Sequence, residues 1–408
     1  MKNKTVKPTR GQFTILRQIC NLIPEHLVSK IARQTKVDQQ ARTFSPWSHV
    51  VALLHAQLSH SLGLNDVCDA LQLRSGPLAA MRGATPPSRN GFSHANRERA
   101  SDLGQQLFWS VLEHLQQQSP GFGAGRRRGP AFRFKTPIHL MDSTVMELVA
   151  NCLDWAKHRR RKAAAKTHLR LNFQSLLPEC VIVDTAAEHD QERARELCAH
   201  LRSGEMVVFD KAYLDFLHLR SLDEWGIDWV SRAKENMAYT VVEERPRPKD
   251  SKILRDEVIL LQDSKRPAPE RMRRVVALVE VDGQEREMTF LTNNLQWSAR
   301  SVADLYRCRW EIEVFFKQIK QTLQLADFLG HSANAVQGQV WTALLAYVLL
   351  RYLSHLAQWA HSFTRLLTLL RAALWEKYDS HKLLERYGTA GGDFRHLARP
   401  EQACFAGF

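Results

Sequence analysis

A glycine- and proline-rich basic break, Pro120-Gly-Phe-Gly-Ala-Gly-Arg-Arg-Arg-Gly-Pro130, separates two kinds of patterning in this chain of 408 residues. Such a run ends regular structure, because glycine loses the most freedom in an element and proline donates no backbone hydrogen bond. Before the break the chain reads as helical. After it, strands and helices alternate, so the fold must join an all-helical part to an α/β part.

In the first part, Ser45-Pro46 reads as an N-cap and first-turn pair, followed by Trp47, Val50, Val51, Leu54 and Leu58 at helical spacing. A second helix is expected from Leu64-Asn65, an interruption over Gly83–Gly91, and a further helix from Ser93 through Trp109 to Leu115. Arg89, His94, Asn96, Arg97 and Arg99 gather near the interruption. Two readings stand side by side: a helix-turn-helix-like DNA reader, or an accessory domain with a solvated basic edge.

In the second part, short strands are expected at Pro137–Asp142, Lys166–Phe173, Cys180–Asp184, Glu205–Asp210 and Ile227–Ser231. Helices are expected at Glu188–Leu201 and through Phe216, Leu219 and Leu222. Residues 236–294, punctuated by Pro246, Pro248, Pro267 and Pro269, read as a β-rich insertion with runs at Tyr239–Val242, Val275–Val281 and Met288–Thr292. A charged helix over 306–320 and an apolar helix over Val336–Leu356 follow. The apolar run Val340–Leu350 is too short to span a bilayer and reads as a buried helix. The expected domains are residues 1–119 (helical), 120–131 (linker), 132–235 (first part of a core), 236–294 (insertion), 295–360 (rest of the core) and 361–408 (C-terminal tail).

Hydrophobic residues make up 44% of the chain, enough for a substantial core, and the net charge of +14 asks for an acidic partner, nucleic acid first. The seven cysteines are scattered, with no CxxC pair or Cys/His cluster, which argues against a zinc site or a disulfide framework and suits a reducing cytoplasm. Met-Lys-Asn-Lys-Thr-Val-Lys at the start has no apolar stretch, so no signal peptide and no membrane association are expected.

The chemistry concentrates in Tyr306-Arg-Cys-Arg-Trp-Glu-Ile-Glu-Val-Phe-Phe-Lys-Gln-Ile-Lys320. At about 100° per residue, Tyr306, Arg309, Glu313 and Lys320 share an arc of about 60°. Leu305, Cys308, Ile312, Phe315 and Ile319 face the other way, toward a core. Asp142 and Asp210 each end a predicted strand, and acids at the carboxyl ends of neighbouring strands converge on one rim of a sheet. Glu313 on a packed helix can join them. Three such carboxylates repel one another unless cations are bound, and a pair of Mg²⁺ ions relieves that. Asp184, Glu188, Asp190, Asp215 and Glu311 are further acids in the vicinity. The basic runs Arg126–Arg128 and Lys157–Lys162 are candidate phosphate contacts.

The spacing Tyr306-(2)-Arg309-(3)-Glu313-(6)-Lys320 resembles the signature of bacterial insertion-sequence transposases of the DDE class, specifically the insertion sequence four family. Asp210-Lys-Ala-Tyr213 is similar to that family's second-aspartate motif and Met141-Asp-Ser-Thr144 to its first. Lys166-Thr-His168 resembles the basic strand between them, and Leu291-Thr-Asn-Asn294 the approach to the signature helix. The likeness covers roughly residues 135–355. It implies an α/β fold: an RNase H-like mixed-sheet catalytic core with a β-rich insertion, preceded by an all-helical N-terminal domain. It further implies two Mg²⁺ ions, with Mn²⁺ substituting, held by Asp142, Asp210 and Glu313 as the catalytic residues. Tyr306, Arg309 and Lys320 would hold the DNA backbone, with Lys166, His168 and Lys211 as further DNA contacts. The implied function is cut-and-paste transposition on double-stranded DNA, acting on terminal inverted repeats and target DNA, as a dimer in the synaptic complex, in the bacterial cytoplasm at the nucleoid. Some relatives stack a flipped base on a tryptophan of the insertion; residues 236–294 contain none, and Trp297 is the nearest. The alternative is a catalytically silent DNA-binding regulator derived from a transposase.

Overall fold

The computed structural model describes residues 9–37, 39, 43–124, 134–148, 152–159, 162–185, 190–247, 252–262, 269, 271–281, 283–323 and 328–387. Arg126–Arg128, Glu188 and most of the Lys157–Lys162 run lie outside the described residues or have undescribed side chains. Contacts divide the chain into two compact units: residues 1–123, 147–164 and 317–402, and residues 124–146, 165–316 and 403–408.

The first unit is helical. Its N-terminal helices are Ile15–Asn21, Glu25–Gln34, Pro46–Ser59, Leu64–Leu73, Ser75–Ala79, Arg89–Glu98 and Asp102–Gln118. The expected cap holds: the Ser45 hydroxyl accepts from the Ser48 backbone N–H at 3.0 Å, with Pro46 in the first turn. The single helix expected from Ser93 to Leu115 is instead two, because Arg99 turns extended (φ -73°, ψ 123°) between them. Arg99 and Asn96 serve the interior there. Arg99 donates to the Phe44 and Ser45 carbonyls, and Asn96 bonds His49 at 2.8 Å.

The apolar run expected as a buried helix is the axis of this unit, Ala333–Leu356, with residues such as Val340, Leu344, Val348 and Leu350 enclosed. Gly104 lets Asp102–Gln118 approach it: a Cβ at Gly104 would stand 3.0 Å from the Trp341 Cβ. Among the described residues no helix is long and apolar enough to cross a membrane. The stretch 361–408 differs from the expected tail, since Phe363–Ala372 and Ser380–Arg386 are helices. A bridge between Arg10 and Tyr378, with the Gln18 amide donating to the Tyr378 carbonyl at 2.6 Å, ties that end to the beginning of the unit.

The second unit is a mixed sheet with helices packed on it. Its strands are β1 (Ile138–Leu148), β3 (Lys162–Asn172), β4 (Pro178–Thr185), β5 (Met206–Phe209), β6 (Asp228–Arg232), β7 (Tyr239–Glu244), β8 (Ile253–Leu261), β9 (Met272–Val281) and β10 (Gln284–Thr292); the short β2 (Lys157–Arg159) pairs with the first residues of β3. The order is β3-β1-β5-β6-β10-β9-β8-β7, with β4 antiparallel on β3. β1, β5 and β6 run parallel in the middle, which is why Met206-Val-Val-Phe209 is apolar throughout and buried at every position. Beneath them Met141, Phe209, Tyr213, Leu219 and Trp229 form a core with the helices Asp190–Cys198 and Phe216–Glu224.

The insertion was expected as a separate β-rich piece. It forms the antiparallel run β7–β10, and β10 pairs antiparallel with β6, so the insertion prolongs the central sheet (Ser231 opposite Leu291). Asn293 and Asn294 seal this junction. Asn293 accepts from the Trp229 N–H and donates to Asp223 and the Ile227 carbonyl, while Asn294 accepts from the N–H groups of Gln296 and Trp297. The Leu-Thr-Asn-Asn resemblance therefore has a structural cause at this corner.

Candidate functional site

The parallel ladder ends on the pair Met141 and Phe209, so Asp142 and Asp210 are the next residues on two neighbouring strands. β1 runs on past Asp142 to Leu148, longer than expected, but its pairing with β5 stops at this point. Glu313 arrives from the other side on the helix Trp310–Lys317, whose Ile312, Phe315 and Phe316 are buried.

The expected single helix over 306–320 has two irregularities. Ala299–Cys308 and Trp310–Lys317 meet at Arg309, and Gln318–Thr322 winds as a π-helix. A π turn holds more residues than an α turn, so the even 100° step behind the expected arc fails beyond Lys317. Lys320 groups with the first unit, where burial lowers its pKa and Glu147 is the opposing carboxylate.

The other three signature residues meet the acids. Arg309 donates to Asp142 Oδ2 at 2.8 Å and to Glu313 Oε1 through its other terminal nitrogen, bridging the two carboxylates. Its guanidinium lies 5.5 Å from the Tyr306 ring centre. The Tyr306 hydroxyl donates to Asp210 Oδ1 at 3.1 Å, and its ring packs on Phe290 with centroids 4.9 Å apart. Burial pushes the Asp142 carboxyl up to about 6; the Arg309 charge and the Ser143 N–H pull it down, while the Glu313 and Asp210 charges raise it. Arg309 is held firmly charged against its own burial by Tyr306 and the three acids.

Three hard oxygen donors gathered in a partly buried site, where burial raises the Asp142 carboxyl, are a set that a divalent cation would stabilise. Among the described residues no three His, Cys, Asp or Glu side chains stand close enough to share one ion, and the Arg309 guanidinium holds the bridging position. Hard carboxylate oxygens of this kind suit a divalent cation.

The remaining predicted contacts fall elsewhere. Lys211 is part-exposed, 3.5 Å from Glu235. Lys166 is mostly buried and donates to Asp190 Oδ2 at 2.9 Å. His168 is 0% exposed, with Nδ1 3.4 Å from both Asp190 Oδ1 and the Tyr213 hydroxyl. A fully buried ring has no surface to offer DNA, so the expected DNA contact of His168 is corrected to an internal one. Trp297 packs edge-on against Phe134 (centroids 5.4 Å apart), and its carbonyl accepts from Arg273. Asp190, read from the sequence only as one nearby acid, proves to be a hub: it also accepts from the Ser143 hydroxyl at 2.7 Å. Burial works against its charge, yet hydrogen bonds from His168, Lys166 and Ser143 hold its carboxyl well below the usual range.

The Transposase DDE domain family matches residues 133–349, and a domain of unknown function (DUF4372) matches residues 12–81. A putative transposase, y4zB, of Sinorhizobium fredii is 31% identical over 328 residues, covering 78% of this chain and 86% of that protein. The transposase InsG for insertion sequence element IS4 of Escherichia coli is 37% identical over 67 residues, 16% of this chain and 15% of that protein. A solved piggyBac transposase synaptic complex with hairpin DNA is similar over 98% of this chain and 88% of that one, at 10% identity. The TM-score of that likeness is 0.45.

Proposed function

Because this chain belongs to the DDE transposases of bacterial insertion sequences, we propose that Asp142, Asp210 and Glu313 are the catalytic centre with which it cuts and joins DNA at the terminal inverted repeats of its element. The observation that carries this reading is the convergence of Asp142 and Asp210 at adjoining parallel strand ends, with Glu313 drawn to Asp142 across one arginine. A sheet in which β4 runs antiparallel on β3, β3 lies beside β1, and β1, β5 and β6 run parallel supports an RNase H-like core.

The family implies divalent-metal dependence. Two Mg²⁺ ions held by the three acids would supply an activated attacking oxygen and a neutralised departing one. The protein's own groups do the positioning. Arg309 is a planar, permanently charged fork; once released from Asp142 and Glu313 it can grip two oxygens of the phosphate being cut. Tyr306 keeps its hydroxyl on Asp210, fixing that carboxylate while offering an aromatic edge to the backbone. Lys320 and Lys211 each supply further positive charge to a polyanionic partner, and Lys166 acts from beneath the site. The chemistry needs placement and charge stabilisation, with no covalent intermediate on the protein. The N-terminal helical domain is read as a DNA-binding accessory domain, and pairing of two DNA ends requires at least a dimer.

The test is incubation with labelled DNA carrying the element's own terminal repeats, in Mg²⁺ and in Mn²⁺. Cuts at the repeat boundary, followed by joining to a second duplex, are expected. Binding of the repeats with no nicking in Mn²⁺ would contradict the enzyme reading and leave a DNA-binding regulator.

A further inference from the structure

Three of the stretches that carry the family likeness converge on a residue belonging to none of them. Asp190 opens the helix Asp190–Cys198. Its Oδ1 accepts from the Ser143 hydroxyl at 2.7 Å, next to Asp142; its Oδ2 accepts from Lys166 at 2.9 Å on β3. His168 Nδ1 lies 3.4 Å from Asp190 Oδ1 and 3.4 Å from the hydroxyl of Tyr213, three residues after Asp210. Ser143 in turn donates its backbone N–H to Asp142 Oδ1 at 2.8 Å, and Tyr213 its own to the Asp210 carbonyl at 3.0 Å.

We infer that Asp190 is a positioning residue of this site, the anchor that holds Ser143, and with it the Asp142 carboxylate, while His168 beside it steadies Tyr213 and the turn that follows Asp210. This rests on the three-carboxylate reading above. The ladder between β1 and β5 stops at Met141 and Phe209, so it places the two strand ends but not the side chains beyond them. Asp190 ties Ser143 to Lys166 on β3, and His168 on the same strand lies beside both Asp190 and the Tyr213 hydroxyl. The anion is needed, not only the shape. Lys166 is mostly buried and meets its counter-charge there, and an asparagine would turn an N–H₂ toward an ammonium or a hydroxyl that also donates. Groups that hold metal-binding carboxylates in place typically change metal affinity by 10–100-fold when removed.

The experiment uses the full chain bound to repeat-bearing DNA. Free Mn²⁺ is counted by electron paramagnetic resonance during a titration, and the Mg²⁺ concentration giving half-maximal single-turnover cleavage is measured alongside. Asp190→Asn is expected to weaken Mn²⁺ binding by roughly 10-fold or more and to raise the half-maximal Mg²⁺ concentration in step. Asp190→Glu should recover part of both. Asp256→Asn, which breaks the buried ion pair between Asp256 on β8 and Arg273 on β9, lowers stability and should leave both readings at wild-type values. If Asp190→Asn does not fold, Ser143→Ala removes only the hydroxyl link and is expected to weaken Mn²⁺ binding several-fold. Wild-type Mn²⁺ affinity in folded Asp190→Asn, or in Ser143→Ala, would overturn the inference. Wild-type protein that binds no Mn²⁺ at all would overturn instead the three-carboxylate reading beneath it.

Discussion

Asp142→Asn, Asp210→Asn and Glu313→Gln are each expected to lower cleavage at the repeat ends by on the order of 10³-fold or more, while binding to the same DNA holds or strengthens. Each substitution removes one oxygen charge from a set of three, and the chemistry depends on all of them together. Binding responds the other way, because the partner is a polyanion and each change deletes a negative charge near its path. The two readouts therefore separate a catalytic role from a folding defect. Asp142 adds a pH signature. With its carboxyl pushed up to about 6, a proton competes with the cation, so the metal concentration needed for cutting rises as pH falls toward 6. Any of the three variants cutting at the wild-type rate would remove that residue from the centre.

Asp256→Ala is expected to be the most damaging single change to stability, by about 3–5 kcal/mol, lowering the melting temperature by roughly 10 °C. Arg273 and Asp256 are 2–5% exposed and joined through two parallel hydrogen bonds of 2.7 Å each. Removing the acid leaves a guanidinium enclosed without its charge partner. Arg273 also donates to the Trp297 carbonyl, just before the helix Ala299–Cys308 that carries Tyr306. The pair thus links the β7–β10 run to the start of the signature helix. By contrast, the exposed, solvent-screened pair of Arg97 and Glu98 should contribute little, so Glu98→Ala serves as the control. Thermal or urea unfolding decides it; an effect of Asp256→Ala no larger than that of Glu98→Ala would contradict the prediction.

Much of the site was legible because its chemistry is written in short-range spacing. Arg309 and Glu313 are four apart on helical backbone and do form an ion pair. Asp142 and Asp210 each follow an apolar strand, and strand ends in a parallel sheet share a rim. Three things were hidden. The π turn after Lys317 left no mark in residue types, so Lys320 was projected along an even helix. The burial of His168 follows from which face of β3 meets the helix Asp190–Cys198, a long-range choice that alternation alone leaves open. Asp190 looked like any acid at a helix start, because its partners Ser143, Lys166 and His168 are 22–47 positions away. In the fold, the insertion's union with the central sheet was likewise invisible, since strand pairing across 60 residues (Ser231 with Leu291) carries no local pattern.

The measurement that tests the central claim most directly is anomalous X-ray diffraction from the protein bound to its terminal-repeat DNA in Mn²⁺. The account predicts two manganese peaks about 3.5–4 Å apart, ligated by Asp142, Asp210 and Glu313, with Arg309 moved off those acids and onto the DNA phosphate. Arg309 still bridging Asp142 and Glu313, with manganese bound elsewhere or absent, would contradict it.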